Sequence, residues 1–376
     1  ALDDAGPTLN SVIELNPDAL KEADARDAER KAGKVRGPLH GVPILLKDNI
    51  DATPMVNSAG SLALANHRPK ADAFLVGKLR EAGAVILGKT NLSEWANFRS
   101  ARSASGWSAR GGQTKNPYAL DRNPCGSSSG TGTAIAASLA AAGIGTETDG
   151  SIICPSSVAG LVGIKPTVGL VSRSGIIPIS HSQDTAGPMT RSVADAAALL
   201  SAIVGRDERD SATSASAEQV APDYLTHLNK DALRGARIGV LRKSAGFHPG
   251  VDVEFERAIA AMKAAGAIVV DADIVTAGQW DDAELQVLLY EFKHDLQAYF
   301  AAANAPVKSL ADVIEFNKTN AAKELPYFGQ DLFEQAQAKG SLDDQEYKDA
   351  AAKARQLAGP AGIDAALRVQ NLDALI

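Results

Sequence analysis

Two glycine-flanked serine clusters, Gly126-Ser127-Ser128-Ser129-Gly130 and Gly150-Ser151-Ile152, lie on either side of an alanine-rich stretch, and Lys47 closes an apolar run well upstream. A serine becomes a nucleophile only beside a base, and backbone N–H groups in a glycine loop can hold the oxyanion formed when it attacks a carbonyl. Lysine, not histidine, is the candidate base in this pattern. The chemistry these residue types suggest is serine attack on an amide carbonyl.

Other chemistries fit the spacing less well. Neither loop carries the Lys-Ser/Thr that closes a phosphate-binding P-loop, and Gly143-Ile144-Gly145 lacks the third glycine of a dinucleotide fingerprint. The six histidines, at positions 40, 67, 181, 227, 248 and 294, form no metal-ligand pattern, and the two cysteines form no Cys-x-x-Cys pair, so no metal and no cofactor is expected. Gly126 to Gly130 formally satisfies Gly-x-Ser-x-Gly, the nucleophile elbow of serine esterases, with Ser128 as nucleophile. An elbow is fed by a strand, whereas Asn116 to Pro124 carries two prolines and no alternation.

The elements that must position these residues alternate between helix and strand. Positions 16–32 read as an exposed helix and 41–47 as a buried strand, which puts Lys47 at a strand end. A helix over 72–82 and a strand over 84–88 repeat the pattern typical of α/β architecture. A short helix is expected over 91–98. Residues 100–133 form a long Ser/Gly/Asn/Pro-rich loop, which in a compact domain is more often functional than idle. The spacing predicts a helix over 133–142, whose N-terminus abuts Ser127 to Gly132, and strands over 161–165 and 169–171. Composition shifts to Asp, Ser, Ala and Glu over 205–222, a linker or exposed excursion. Beyond it, strands are expected over 236–242 and 267–271, and helices over 251–265, 281–303 and much of 309–368.

The chain has 376 residues, 45% hydrophobic and 22% charged, enough to bury a large core. A net charge of −7 with a pI near 5.5 argues against nucleic acid as a partner. No run of about eighteen apolar residues exists, so no membrane span is expected. The partner is a small-molecule or peptide amide, with the protein a monomer or homodimer. Cys125 and Cys154 either pack as small hydrophobes or form one bridge between the serine loops; spacing does not choose. The chain opens at Ala1 and ends on Leu372-Asp373-Ala374-Leu375-Ile376, which reads like the start of a strand, so further residues are expected at both ends. The compartment, cytoplasmic or exported, is left open.

Taken together, the motifs resemble the amidase signature family, over residues 37–210. The family's serine-glycine loop is similar to Cys125 to Gly130, and its Thr-Asp-x-Gly-Gly-Ser to Thr146-Glu147-Thr148-Asp149-Gly150-Ser151. Gly37 to Pro43 before Lys47, Gly88 to Asn91, Gly163 to Thr167 and Asp184 to Pro188 add to the likeness. The resemblance implies one α/β domain over 1–376, with a large central mixed β-sheet covered by helices on both faces. Residues 1–205 would be its core and 206–376 a continuation with a largely helical section. It also implies Ser151 as nucleophile, Ser127 as a bridging serine on a cis peptide bond with Gly126, and Lys47 as general base. Ser128 would support the network by hydrogen bonding, and the N–H groups of Thr148, Asp149, Gly150 and Ser151 would hold the oxyanion.

Departures from the family pattern bear on substrate. Glu147 stands where Asp is usual, Asp149 where Gly is usual, and Ile153 where many members place an arginine. Ile153 cannot pair with a carboxylate, so small acidic amides fit poorly. The run from Thr146 to Pro155, with Leu289 to Lys293, resembles the peptide amidase branch, which implies deamidation of peptide C-terminal amides with release of ammonia. Broad acyl or fatty amide hydrolysis, and the glutaminase component of a tRNA-dependent amidotransferase, are the alternatives within the family. Tyr290 and Phe292 would line a peptide cleft, or else pack as helix core. Glu94, Asp184 and Asp195 are candidates for orienting loops.

Overall fold

The computed structural model describes residues 1–215 and 223–376. Residues 216–222, within the stretch expected as a linker, lie outside the described residues. The described chain separates into two compact units, residues 1–226 with 291–339, and residues 227–290 with 340–376.

The first unit is built on β1 (Val12–Leu15), α1 (Ala19–Lys31), β2 (Pro43–Lys47), α2 (Phe74–Glu81) and β3 (Val85–Thr90). It continues with the short pair β4 (Trp107–Ser108) and β5 (Gly112–Gln113), α3 (Ser129–Ala136), β6 (Ala142–Glu147), α4 (Ile153–Val158), β7 (Val162–Gly163), β8 (Thr185–Thr190), α5 (Val193–Ile203) and α6 (Ala212–Ala215). Six strands form one mixed sheet in the order β1-β3-β2-β6-β8-β7. The central strand β2 pairs in parallel with both β3 and β6, while β1, β7 and β8 run antiparallel to their neighbours.

Strand β2 is an unbroken apolar run because both faces of the sheet are covered. Ile44 and Leu46, with Ile86, Ala142 and Ile144, pack against Leu75 and Leu79 of α2 and Leu199 and Ile203 of α5. Leu45 points the other way, onto Ala134 and Ile135 of α3. Each fully buried Ile or Leu among them contributes about 1.5–3 kcal/mol. The period-two alternation then carries Lys47 to the α3 face, the same side as Leu45.

Strand β6 and the helix before it differ from the expectation of a helix over 133–142. Helix α3 starts earlier, at Ser129, and ends at Ala136, and residues 142–147 are a strand. Gly143 and Gly145 make this segment read poorly as a strand. A Cβ on Gly143 would meet Thr131 and Ile135 of α3, and one on Gly145 would meet Met189 and Ser128, so close packing needs glycine at both. Strands β1 and β8 and helix α4 were not anticipated. The expected helix over 91–98 is a 3-10 turn, Glu94–Asn97, with Trp95 and Ala96 at φ +49° and +55°. The expected strands over 161–165 and 169–171 reduce to β7 and an isolated bridge between Val168 and Val171.

The C-terminal part of α8 (Asp281–Ala303) belongs to the first unit, with α9 (Leu310–Thr319), α10 (Ala321–Glu324) and α11 (Asp331–Gln337). Its rings clamp the loop after β3: Phe292 lies 4.9 Å from Phe98 and 5.3 Å from Phe333, and Trp95 lies 5.7 Å from Phe333, centroid to centroid. Arg99, fully buried, pairs with Glu94 and lies 4.1 Å from the centre of the Phe328 ring.

The second unit carries a parallel sheet of β9 (Arg237–Leu241), β10 (Ile268–Ala272) and β11 (Ala374–Leu375), in the order β10-β9-β11. Helices α7 (Pro249–Ala264), α12 (Gln345–Ala358) and α13 (Asp364–Gln370) complete it, with Ala283 and Val287 of α8 packed on Ala350.

Candidate active site

Lys47 leaves β2 on the α3 face with no solvent exposure. Its Nζ lies 2.7 Å from Ser127 Oγ, 2.9 Å from Thr146 Oγ1 and 3.1 Å from Thr146 O. A neutral amine has two donors and one lone pair. Thr146 can take both donors, which leaves the lone pair for the Ser127 hydroxyl. Complete burial pulls the Lys47 amine down from 10.5 to about 7, and the negative charges of Asp184 and Glu147 oppose that fall.

Thr146 is therefore a hub that sequence reasoning missed. Asn49 also donates to its Oγ1, at 2.9 Å, and Ser128 Oγ donates to its carbonyl, at 3.1 Å. The sole signal in the sequence was its place at the head of the Thr-Glu-Thr-Asp-Gly-Ser run, since it occupies a strand the pattern did not reveal.

The two serine loops are tied together. Ser128 N–H donates to Ser151 O at 3.1 Å, and Ser93 N–H donates to Ser127 O at 3.0 Å. The Gly126–Ser127 peptide bond is cis. Cys125 and Cys154 are joined in a disulfide with their Cα atoms 5.9 Å apart, so of the two readings left open above, the bridge holds. Ser128 is fully buried, with its hydroxyl bonded to both the N–H and the carbonyl of Thr146. No strand leads into it among the described residues, so it lacks the strand that feeds an esterase elbow.

Ser127 and Ser151 both line one cavity of about 410 Å³. Its other walls include the apolar run from Ile176 to Ile179, and Ala298 and Tyr299 of α8. Arg173 also lines it, but its guanidinium is held by Asp210, with Nε 2.8 Å from Oδ2. Arg209 is likewise paired, with Nε 3.1 Å from Asp207 Oδ1. His181, Glu291 and Asp295 offer three potential ligand atoms within 4.8 Å of one another. Here His181 Nδ1 lies 2.9 Å from Asp295, a contact that raises the imidazole's affinity for protons.

The turn carrying Ser151 differs in one respect from expectation. The Gly150 N–H donates to Glu147 Oε1 at 2.9 Å, which takes it out of the set available to an oxyanion. The N–H groups of Thr148, Asp149 and Ser151 donate to no acceptor among the described residues. Thr148 Oγ1 donates to Asp184 Oδ1 at 2.6 Å, and Asp184 Oδ2 accepts from Ile179 and Ser180 N–H at 2.8 and 2.9 Å. Burial pushes the Asp184 carboxyl up to about 6 against those bonds.

Of the loop-orienting candidates, Asp184 thus joins the Ser151 turn to the cavity wall. Glu94 accepts from Ala109 N–H at 2.7 Å. Asp195 sits in the first turn of α5, where its N–H donates to the capping Ser192.

The three residues expected to touch substrate lie elsewhere. Phe292 is fully buried in the ring stack, Tyr290 donates to Glu346 at 2.7 Å within the second unit, and Ile153 is exposed in the first turn of α4. None of them lines the cavity. For Phe292 and Tyr290 the aromatic character was equally consistent with packing, and both are buried, whereas Ile153 faces solvent.

The chain as a whole is similar to known proteins. The chain matches the Amidase family model over residues 1–376. It is 43% identical to a probable amidase of Arabidopsis thaliana over all of this chain and 74% of that protein. It is 58% identical to the native peptide amidase of Stenotrophomonas maltophilia, with a TM-score of 0.97 over all of this chain and 77% of that one. It is 44% identical to the glutamyl-tRNA(Gln) amidotransferase A-component of Acidothermus cellulolyticus over 70% of this chain and 51% of that protein. Among the described residues no helix is long and apolar enough to cross a membrane.

Proposed function

Because this chain belongs to the amidase family, we propose that its Ser151, Ser127 and Lys47 act as one catalytic unit that hydrolyses the C-terminal amide of peptides within a single amidase domain. The observation that carries the reading is the neutral-range lysine 2.7 Å from Ser127 Oγ, with both serines on the wall of one cavity. Ser151 Oγ attacks the amide carbon as its proton passes to Ser127 Oγ, and the Ser127 proton passes to Lys47 Nζ. The N–H groups of Thr148, Asp149 and Ser151 hold the oxyanion. The Lys47 ammonium returns a proton through Ser127 to the leaving nitrogen, which departs as ammonia. Water then attacks the acyl-Ser151 ester by the same relay and frees the carboxylic acid.

A neutral amide suits the cavity, since both arginines on its wall are already paired with aspartates. The likeness to peptide amidase over the whole chain favours a peptide amide over free glutamine. The similarity to the amidotransferase component keeps glutamine as the second substrate to test. Ammonia release is measured from an N-blocked peptide amide, glutamine and a long-chain fatty amide, with Ser151→Ala as control. Selective release from the peptide amide is expected. Release from glutamine alone would overturn the substrate assignment, and turnover by Ser151→Ala would overturn the nucleophile.

A further inference from the structure

Glu147, the last residue of β6, lies between Thr146 and the Ser151 turn in the chain and is buried, at 5% exposure. Its Oε1 accepts from Gly150 N–H at 2.9 Å, and its Oε2 accepts from Ile152 and Ile153 N–H at 2.6 and 2.9 Å. One carboxylate therefore spans the turn from the strand end, past Ser151, to the first residue of α4. Bonds of N–H to an ionised acceptor are about twice as strong as neutral ones, so three of them on one group fix the backbone between their anchors. Gly150 adopts φ +74° with open space beside its Cα, so glycine is needed there for backbone conformation and not for room.

We propose that Glu147 is the positioning residue for this reaction: it draws the Gly150, Ile152 and Ile153 N–H groups onto its own carboxylate. In doing so it sets the Thr148–Ser151 turn, leaving the Thr148, Asp149 and Ser151 N–H groups for the oxyanion. This inference rests on Ser151 being the nucleophile. Neither neighbouring side chain reproduces the arrangement. Glutamine keeps one acceptor oxygen and turns an NH₂ donor toward an N–H that now lacks a partner. Aspartate keeps the charge but is one methylene shorter, so it cannot reach both ends of the turn. The carboxylate also faces the Lys47 charge, favouring the ammonium.

The two variants separate geometry from charge. Because the turn serves the transition state, kcat should fall on the order of 100-fold in Glu147→Gln, the typical loss for one misplaced oxyanion donor, with KM little changed. The acidic limb of its kcat/KM profile should move to lower pH, since a negative charge beside Lys47 is gone. Glu147→Asp should also lose kcat while that limb stays in place, and thermal melts establish that each variant is folded. A residue that only stabilised the fold would lower the melting temperature without moving the limb. If Glu147→Gln does not fold, Glu147→Asp carries the test. Wild-type kcat in either folded variant, or limbs that move together, would overturn the proposal. Labelling of Ser151 by a fluorophosphonate is measured in parallel: wild-type protein that neither labels nor turns over amides overturns the nucleophile assignment and this inference with it. Wild-type protein that labels, with variants that label equally fast, overturns the role of Glu147 alone.

Discussion

Lys47 offers the sharpest test of the catalytic reading. The fall of its amine from 10.5 to about 7 corresponds to about 5 kcal/mol at 1.36 kcal/mol per pH unit. At pH 7 about half the amine is then neutral, against roughly one molecule in three thousand for an unperturbed lysine. Hydrolysis should therefore show a single-proton acidic limb in kcat/KM with a midpoint near 7, read by ammonia release from a peptide amide across the pH range. Lys47→Met, which keeps the bulk, should lower kcat by on the order of 100- to 10,000-fold. Stability should move the opposite way. The unfolded chain holds this proton up to 10.5 and the native chain releases it near 7, so between those values the unfolded state binds more protons. Wild-type stability accordingly rises with pH across that window, and the full penalty of the buried charge is present below it. Lys47→Met should thus melt higher than wild type at pH 6. A variant within tenfold of wild-type kcat, or a wild-type limb with its midpoint near 5, would refute the reasoning.

The remaining predictions concern the support of the site. Asp184→Asn removes a charge that favours the Lys47 ammonium, so the midpoint of the acidic limb should move to lower pH; an upward move would contradict the sign. Cys125→Ser with Cys154→Ser opens a covalent link across a separation of 29 residues, and urea unfolding should register a loss of about 3–4 kcal/mol from loop entropy. Phe292→Ala empties the ring stack and should cost about 3–5 kcal/mol by the same assay, with KM for the peptide amide unchanged; a raised KM would restore it as a cleft residue. Gly145→Ala places a Cβ 2.8 Å from both Met189 Sδ and Ser128 Oγ, and should destabilise by about 1–3 kcal/mol while lowering kcat.

Much of the site was legible because it is written in local pattern. An apolar run covered on both faces announces a central strand, so Lys47 at its end was readable without coordinates. Glycines clustered with serines announce turns whose N–H groups are available, and the combination at Gly126 to Gly130 and Gly150 to Ser151 carries the family likeness. Helices with long regular patterns, such as Asp281–Ala303, were equally plain. Strand β6 was not, because its two glycines serve contacts with Thr131, Ile135, Met189 and Ser128, residues distant in the chain and invisible to a local reading.

The sequence by itself determined the residue types of the site, the alternation of helix and strand, and the family. Tertiary structure alone decided which partner each polar group received. Thr146 became the hub for Lys47 because parallel pairing of β2 with β6 sets their strand ends side by side. Gly150 gave its N–H to Glu147, while the Thr148, Asp149 and Ser151 N–H groups found no acceptor among the described residues. Cys125 found Cys154, and Phe292 entered a ring stack in place of a cleft. Hydrogen bonds and close contacts act over a few ångströms, and the chain neighbours of a residue do not say who its spatial neighbours are.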